Sequence, residues 1–473
     1  MSQTEAIHFW ESDVWSWVLL FAVLTGSLLV GNTLRRKIPF LRNSLIPTSV
    51  LGGCVLLIVT SIYKLATGDV MFDTAAFGGK GTANLEVITY HALALGFIAS
   101  SLKTSEKNSN KKRAVEIFNT GITTVSTYLL QGVFGLGITI LAALLFMPGF
   151  FEAAGLILPF GFGQGTGQAL NYGIIYETQH GFEGGADFGL TIAALGFLSA
   201  ALGGVIHLNI RKKTGKLVKS KRTDGSDQTE AVEVEGEIPM QESVDKMTIQ
   251  ICFILMAYVI AYLIMYLICL LPFVGEGLKS TIFGFNFLLG VVGAIIVKSV
   301  VNLLRKTGLM KRRYINNFLM TRTSNFFFDL MVVSGVAAIR LDKLQSYWGI
   351  VLILGVVGLV ITYIYLRIVC KKLFPDYEEE QFLMMYGMLT GTASTGTILL
   401  REVDENFKTP AADNMVYQNF PAIVFGFPLM FLATLAPTEP LLTLGILFVF
   451  FLVMNVILFR SFIFKRRGKA SKK

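Results

Sequence analysis

Apolar runs of roughly 18 or more residues recur from one end of the chain to the other, and they limit its fold more than any other feature. A run of that length is what a helix needs to cross a lipid bilayer. The 473 residues are 53% hydrophobic and only 15% charged, with a mean hydropathy of +0.61. We therefore expect an all-α polytopic membrane protein with the lipid bilayer as its surroundings.

The apolar runs predict eleven membrane spans and two irregular regions. The spans of the first half are 14–34, 45–66, 84–102, 114–146 and 186–210. The spans of the second half are 248–272, 280–303, 315–338, 346–369, 414–434 and 440–463. The irregular regions, 150–178 and 379–401, are apolar but are interrupted near the middle by glycine, threonine and serine.

The distribution of basic residues predicts how the chain crosses the membrane. Cytoplasmic loops are rich in Lys and Arg. Most of the 41 Lys and Arg residues lie on one side only if neither irregular region crosses. Both regions are then re-entrant hairpins, the N-terminus is outside and the C-terminus is cytoplasmic. This asymmetry also explains the net charge of +9, so we infer no nucleic-acid partner.

A run of basic and then acidic residues separates two units of five spans, each with one hairpin. Because the linker between them is cytoplasmic, the two units cross the membrane in opposite directions. Such inverted repeats are typical of secondary transporters, which bind substrate where broken helices meet. We predict an N-terminal extension at 1–13, a first repeat at 14–210, a linker at 211–246, a second repeat at 247–437, and an extra span with a basic tail at 438–473.

The first irregular region contains "GFGQGTG" at 161–167, with four glycines in seven residues. Non-helical backbone at membrane depth is tolerated where it lines a cavity, and glycine lets a ligand approach the main chain. We expect Pro159 to end the first arm and the start of the second arm to favour an anion. The candidate substrate-binding residues are Gly163, Gln164, Gly165, Thr166, Gly167 and Gln168.

The second irregular region contains "TGTASTGT" at 390–397. Its hydroxyl groups and free carbonyl groups suit a hard cation such as Na⁺. The candidate substrate-binding residues are Gly391, Thr392, Ser394 and Thr395, and the candidate Na⁺ ligands are Thr390, Thr392 and Thr397.

Polar side chains also interrupt the span 315–338. Ionisable groups inside a span are costly and are functional candidates. Arg322, Asn325 and Asp329 fall on one face of a helix with 100° per residue. We expect Arg322 to contact the substrate, and Asn325 and Asp329 to bind Na⁺.

An ion channel and an intramembrane enzyme are two other classes of function for such a sequence. The "GFG" of the first loop is similar to a potassium-channel filter, so an ion channel is an alternative, although the second loop lacks that pattern. An enzyme is not predicted, because Gln164 follows Gly163 where an intramembrane aspartyl protease would have aspartate.

Three stretches resemble the bacterial sodium/glutamate symporters: "RKIPFLRNSLIPTSVLGG" at 36–53, "GQGTGQAL" at 163–170 and "GTASTGTILLREVDENF" at 391–407. The resemblance covers 17–437. It implies Na⁺-coupled uptake of glutamate through the bacterial plasma membrane, with Na⁺ as the coupling ion. It also implies a homodimeric, elevator-type carrier, in which a unit holding both hairpins moves against a scaffold.

Three residues depart from the pattern of this family. Phe162 and Gln164 stand where its first loop has glycine and histidine, and Ser394 stands where its second loop has proline. The related 2-hydroxycarboxylate carriers share the two-hairpin plan. Symport of a citrate- or malate-like dicarboxylate with a cation is therefore an alternative to glutamate transport.

Overall fold

The computed structural model describes residues 9–43, 46–103, 111–214, 244–271, 279, 282–344, 347–404 and 409–463, which are predominantly helical. The helices of the first half are α1 Ser12–Lys37, α2 Pro39–Asn43, α3 Thr48–Thr67, α4 Gly81–Leu102, α5 Lys111–Leu145, α6 Ile157–Gln164, α7 Thr166–His180 and α8 Gly185–Lys213. Those of the second half are α9 Lys246–Cys269, α10 Asn286–Lys306, α11 Asn317–Ala338, α12 Trp348–Leu373, α13 Glu378–Thr390, α14 Ala393–Arg401, α15 Ala411–Tyr417, α16 Asn419–Leu435 and α17 Pro440–Leu458. The predicted all-α fold is confirmed.

Ten segments of the described chain are helical, long and apolar enough to cross a membrane. They correspond to ten of the eleven predicted spans. The eleventh, predicted at 315–338, is α11, a helix of 22 residues. It is not among these ten, and it contains the charged residues Arg322 and Asp329. The protein is therefore a multi-pass membrane protein.

The helices α4 and α11 lie side by side and are joined by small polar residues. Ser324 Oγ of α11 donates a hydrogen bond to the carbonyl oxygen of Gly96 in α4, at 2.9 Å. The hydroxyl groups of Thr89 and Ser334 lie 2.9 Å apart across the same contact. Small residues allow membrane helices to approach closely and hydrogen-bond to one another.

Each of these two helices also contacts a helix of the other half. Gly53 of α3 faces Val336 of α11, and Gly290 of α10 faces Ile98 of α4. In turn, α1 packs on α3 and α9 packs on α10. The arrangement of α1, α3 and α11 thus corresponds to that of α9, α10 and α4.

A second group of helices is built around α5, which has 35 residues. It packs against α12, α16 and α17. Tyr365 of α12 donates a hydrogen bond to Asn455 Oδ1 of α17 at 2.9 Å. Beyond the end of α17, Arg460 donates one to Asn119 Oδ1 of α5 at 3.1 Å. The extra C-terminal span therefore packs on α5 and α12.

Three of the longest stretches outside the described residues fall in the predicted extension, linker and tail. These are 1–8 of the extension, 215–243 of the linker and 464–473 of the basic tail. Next to the linker, α8 ends with basic residues in its last turn. On the other side of it, the Asp245 carboxylate accepts the N–H groups of Met247 and Thr248 and so caps α9.

Candidate functional site

The helices α6 and α7 form the first broken helix, and the chain reverses direction between them. α6 ends at Gln164, Gly165 has φ +81° and ψ −171°, and α7 begins at Thr166. The rings of Phe160 and Tyr172, one from each arm, stack with centroids 4.1 Å apart. The two arms therefore lie against each other as a helical hairpin.

The glycines and the proline of this break have separate structural reasons. A Cβ atom added at Gly161, Gly163 or Gly167 would collide with a residue of α8, α5 or α4, respectively. Gly165 instead has a positive φ, in a region that only glycine adopts readily. The prediction that Pro159 ends the first arm is wrong. It lies in the first turn of α6, where its missing N–H leaves no helical hydrogen bond unmade.

The helices α13 and α14 form the second broken helix, with Gly391 and Thr392 between them. A Cβ atom added at Gly387 would lie 2.7 Å from Gly396 Cα, so the two arms touch through their backbones. Thr392 Oγ1 accepts the N–H of Thr395 and so caps α14. This region also forms a helical hairpin.

The two breaks lie next to each other, beside α11. A Cβ atom at Gly165 would be 3.7 Å from Thr392 Cγ2 and 3.5 Å from Met331 Cε. The hydroxyl of Thr166 donates a hydrogen bond to the carbonyl oxygen of Met331, at 3.2 Å. Gly165 and Thr392, which are 227 positions apart in the chain, thus come together at one place.

A cavity of about 140 Å³ opens beside the two breaks. One wall comes from α4, α10 and α11, and the other comes from α5, both hairpins, α15 and α16. The polar lining includes Ser100, Thr124, Gln164, Gln168, Thr392, Gln418 and Asn419. The apolar lining includes Phe97, Phe287, Phe328, Phe427, Met331, Met388 and Met430. Among the described residues that line it, none is charged.

Three glutamines of the cavity each have an amide oxygen that is buried and without a hydrogen-bond partner: Gln164, Gln168 and Gln418. Gln168 Nε2 donates to the carbonyl oxygen of Gly284 at 3.4 Å, and Gln418 Nε2 donates to Asn419 Oδ1 at 2.8 Å. These bonds orient the last two amides and leave Oε1 as the free atom. Buried polar atoms are nearly always paired, so these oxygens suit a ligand that donates hydrogen bonds.

Five of the predicted loop residues line this cavity. Those that line it are Gly163, Gln164, Gln168, Gly391 and Thr392. Six others lie in the breaks and the helices beside them but are not among the lining residues: Gly165, Thr166, Gly167, Thr390, Thr395 and Thr397. The side chain of Ser394 lies outside the part that the structure describes.

The structure does not bring the three polar residues of α11 to the cavity. Arg322 and Asn325 are exposed, and the carboxylate of Asp329 shares a hydrogen bond with Ser49 of α3. The residues of α11 that line the cavity are Phe328 and Met331, which lie about 120° and 180° around the helix from Arg322. The three polar residues are therefore not among the residues that line this cavity, and their roles in binding substrate and Na⁺ stay predictions.

Reasoning from the sequence missed two residues of α5 that contact the breaks. The Tyr128 hydroxyl donates to the carbonyl oxygen of Gly163 at 3.0 Å. Gln131 Nε2 donates to the carbonyl oxygen of Leu389 at 3.0 Å. A carboxamide in the middle of an apolar span was the available signal for Gln131.

The comparison with known families covers both breaks. A sequence model of the sodium/glutamate symporter family matches residues 16–394, from α1 to the start of α14. The chain belongs to the sodium/glutamate symporter family. The helices α15–α17 of this sodium/glutamate symporter lie beyond the matched residues. The family is one of transporters and not a class of enzymes. No curated protein matches the chain.

Proposed function

We propose that the protein is a Na⁺-coupled symporter of glutamate or a closely related small carboxylate. The observation that carries this proposal is that two helix breaks, at Gly165 and at Gly391–Thr392, meet beside one cavity. Discontinuous helices of this kind form the substrate sites of secondary transporters. Membership of the sodium/glutamate symporter family supports the coupling to Na⁺.

The starts of α7 and α14 supply what a carboxylate needs. The first N–H groups of a helix have no partner within the helix, and that end carries a partial positive charge. Thr392 and Ala393, at the start of α14, line the cavity, and Gln168 of the first turn of α7 lines it too. Since no charged side chain is found among the described lining residues, the helix ends are the groups that hold the anion.

The amino group of an amino acid has partners in the same cavity. An ammonium group donates three hydrogen bonds, and the free oxygens of Gln164, Gln168 and Gln418 accept them. Apolar walls from phenylalanine and methionine residues surround these polar groups. The cavity thus combines anion-binding and ammonium-binding groups, as an amino-acid substrate requires.

The position of the cavity between two helix groups supports an elevator-type mechanism. The group of α4, α10 and α11 forms one wall, and the group that holds both hairpins forms the other. The matching arrangements of α1–α3–α11 and α9–α10–α4 support two inverted repeats. We propose that the protein is a homodimeric carrier in which residues 150–178 and 379–401 are re-entrant hairpins. The helix group that holds both hairpins moves against the group of α4, α10 and α11.

We propose that, with the N-terminus outside, the cavity opens to the cytoplasm. Phe97 and Ser100, near the end of α4, line the cavity, as does Thr124 in the half of α5 that begins at Lys111. The loop between these two helices is cytoplasmic when the N-terminus is outside. The proposal places the protein in the bacterial plasma membrane with a cytoplasmic C-terminus.

Uptake into proteoliposomes tests the function. We expect the purified full-length protein to accumulate labelled glutamate under an inward Na⁺ gradient, by about tenfold for a tenfold gradient and one Na⁺ per substrate. Equal uptake with an inward K⁺ gradient would refute Na⁺ coupling. Stronger competition by unlabelled malate or citrate than by glutamate would favour the dicarboxylate alternative, and unitary currents without substrate would favour the channel.

The position of Asp329 on α11 predicts a small effect of the substitution Asp329→Asn on Na⁺ dependence. The sequence-based hypothesis predicts a large shift in Na⁺ dependence for Asp329→Asn. The structure places the Asp329 carboxylate beside Ser49 and outside the lining of the cavity. We therefore expect the Na⁺ concentration for half-maximal uptake to stay within about twofold of wild type. A tenfold increase in that concentration would restore the sequence-based assignment.

A further inference from the structure

The broken helices are held at their tips by a single face of α5. Tyr128 donates its hydroxyl hydrogen to the carbonyl oxygen of Gly163, just before the first break. Gln131, one turn further along α5, donates to the carbonyl oxygen of Leu389, just before the second break. Residues three apart lie on the same face of a helix. One face of α5 therefore satisfies carbonyl groups that the end of a helix leaves free.

The amide oxygen of the Gln131 side chain has no hydrogen-bond partner. Its side chain is fully buried, at 0% exposure. Its Nε2 donates to both Leu389 O and Thr362 Oγ1, at 3.0 and 2.9 Å. Because a carbonyl oxygen can only accept, these bonds fix the orientation of the amide. Gln131 Oε1 is then left buried with no hydrogen-bond partner.

The two groups that accept from Gln131 Nε2, the Leu389 carbonyl and the Thr362 hydroxyl, are neutral oxygen atoms. Thr362 and Thr390 are both 0% exposed. The carbonyl groups of Leu389 and Thr390 belong to the last turn of α13, the end of a helix that carries partial negative charge. Gly196 of α8 lets the Thr390 carbonyl oxygen approach closely, since a Cβ atom there would lie 2.5 Å from that oxygen. Oxygen ligands of this kind suit a hard cation, and the absence of a carboxylate among the named groups favours a monovalent one.

We propose that the coupling Na⁺ binds at the end of α13, with Gln131 Oε1, Thr362 Oγ1 and the last carbonyl groups of α13 as its ligands. The inference rests on the proposed function and names the ion site for it. A cation there offsets the negative end of α13 and holds the break at Gly391 in the shape that lines the cavity. Substrate affinity then rises with Na⁺, and Na⁺ affinity rises with substrate by the same factor.

The test is Na⁺ binding to the purified full-length protein without substrate. The apparent melting temperature is measured against NaCl, with choline chloride keeping the ionic strength constant, and equilibrium binding of ²²Na⁺ is measured alongside. We expect Na⁺ to stabilise the wild type. For Gln131→Leu and Thr362→Val, we expect the half-saturating Na⁺ concentration to rise at least about tenfold. Thr362→Val keeps the hydrogen bond from Gln131 to Leu389, so it separates ion binding from support of the helix end.

Asn286→Leu is the matched control. Asn286 is also a fully buried carboxamide that donates to a backbone carbonyl, that of Tyr90 at 3.0 Å, and has an unpartnered oxygen. It lies at the start of α10, and its amide nitrogen donates to Tyr90 of α4 and Tyr258 of α9 and not to a carbonyl group at a break. An unchanged Na⁺ response in Gln131→Leu, or an equal loss in Asn286→Leu, overturns the proposed site. A wild type that binds no Na⁺ in either measurement instead overturns Na⁺ coupling, and with it the proposed function.

Discussion

Gly165→Ala is expected to abolish Na⁺-driven glutamate uptake. Gly165 combines φ +81° with ψ −171°, a conformation that is essentially restricted to glycine and costs other residues about 1–3 kcal/mol. An alanine relieves that strain by moving the break. The new Cβ would also lie against Met331 and Thr392, which line the cavity. The start of α7 would then no longer be aligned with the start of α14, and the carboxylate would lose its paired donors.

The measurement is initial uptake of labelled glutamate together with stabilisation of the detergent-purified variant by glutamate. We expect both to be lost while insertion and yield stay normal. Gly68→Ala is the control, because Gly68 has φ +83° at the exposed end of α3 with no atom within 4 Å of an added Cβ. Wild-type uptake in Gly165→Ala would show that the first break does not hold the substrate.

The spans and both breaks could be predicted because their signals are local. Apolar runs of membrane length identify helices, and glycine and threonine clusters within such runs identify where a helix is interrupted. The predicted second hairpin at 379–401 matches Glu378–Arg401, and the first, at 150–178, is shifted by two residues from the observed 152–180. Proline was misleading, because Pro159 occupies the first turn of a helix that continues to Gln164.

The partners of each helix face could not be predicted, because they depend on packing between distant segments. Arg322, Asn325 and Asp329 do share a face, but that face is not the one that Met331 turns to the cavity. Periodicity gives the angle between residues on one helix and says nothing about its neighbours. Gln131 shows the same limit: its polarity was visible, but the carbonyl groups that it meets come from α13, about 260 residues later.

Glu379→Gln is expected to destabilise the protein by about 3 kcal/mol. Glu379 lies in the first turn of α13, at the end of the hairpin opposite the break. Its carboxylate accepts hydrogen bonds from Arg211 of α8 and Arg367 of α12, and it lies 2.6 Å from His207 Nε2. The two arginines are only 20% and 24% exposed. Removing the negative charge leaves Arg211 without this carboxylate partner, while Arg367 keeps Glu378 at 2.9 Å.

The effect has a defined pH dependence. Burial opposes ionisation of Glu379, but the hydrogen bond with His207 and the charge of Arg367 outweigh it and lower the pKa of this carboxyl group. A carboxyl group whose pKa is lowered by folding adds stability above its unfolded-state pKa of about 4.3 and loses it as the pH falls through the folded-state value. The difference in apparent melting temperature between wild type and Glu379→Gln should therefore be largest at neutral pH and shrink below about pH 4.

Asp376→Asn is the matched comparison for Glu379→Gln, since Asp376 lies only three residues earlier and also pairs with a cation. Its partner Lys112 lies at 3.0 Å, but the two side chains are 71% and 68% exposed. Water screens such a pair, so we expect no measurable change in melting temperature. Equal effects of the two variants would show that the charge of Glu379 is not what fixes the base of the second hairpin to α8 and α12. A large loss confined to Glu379→Gln would identify this carboxylate as the group that fixes the base of the second hairpin to α8 and α12.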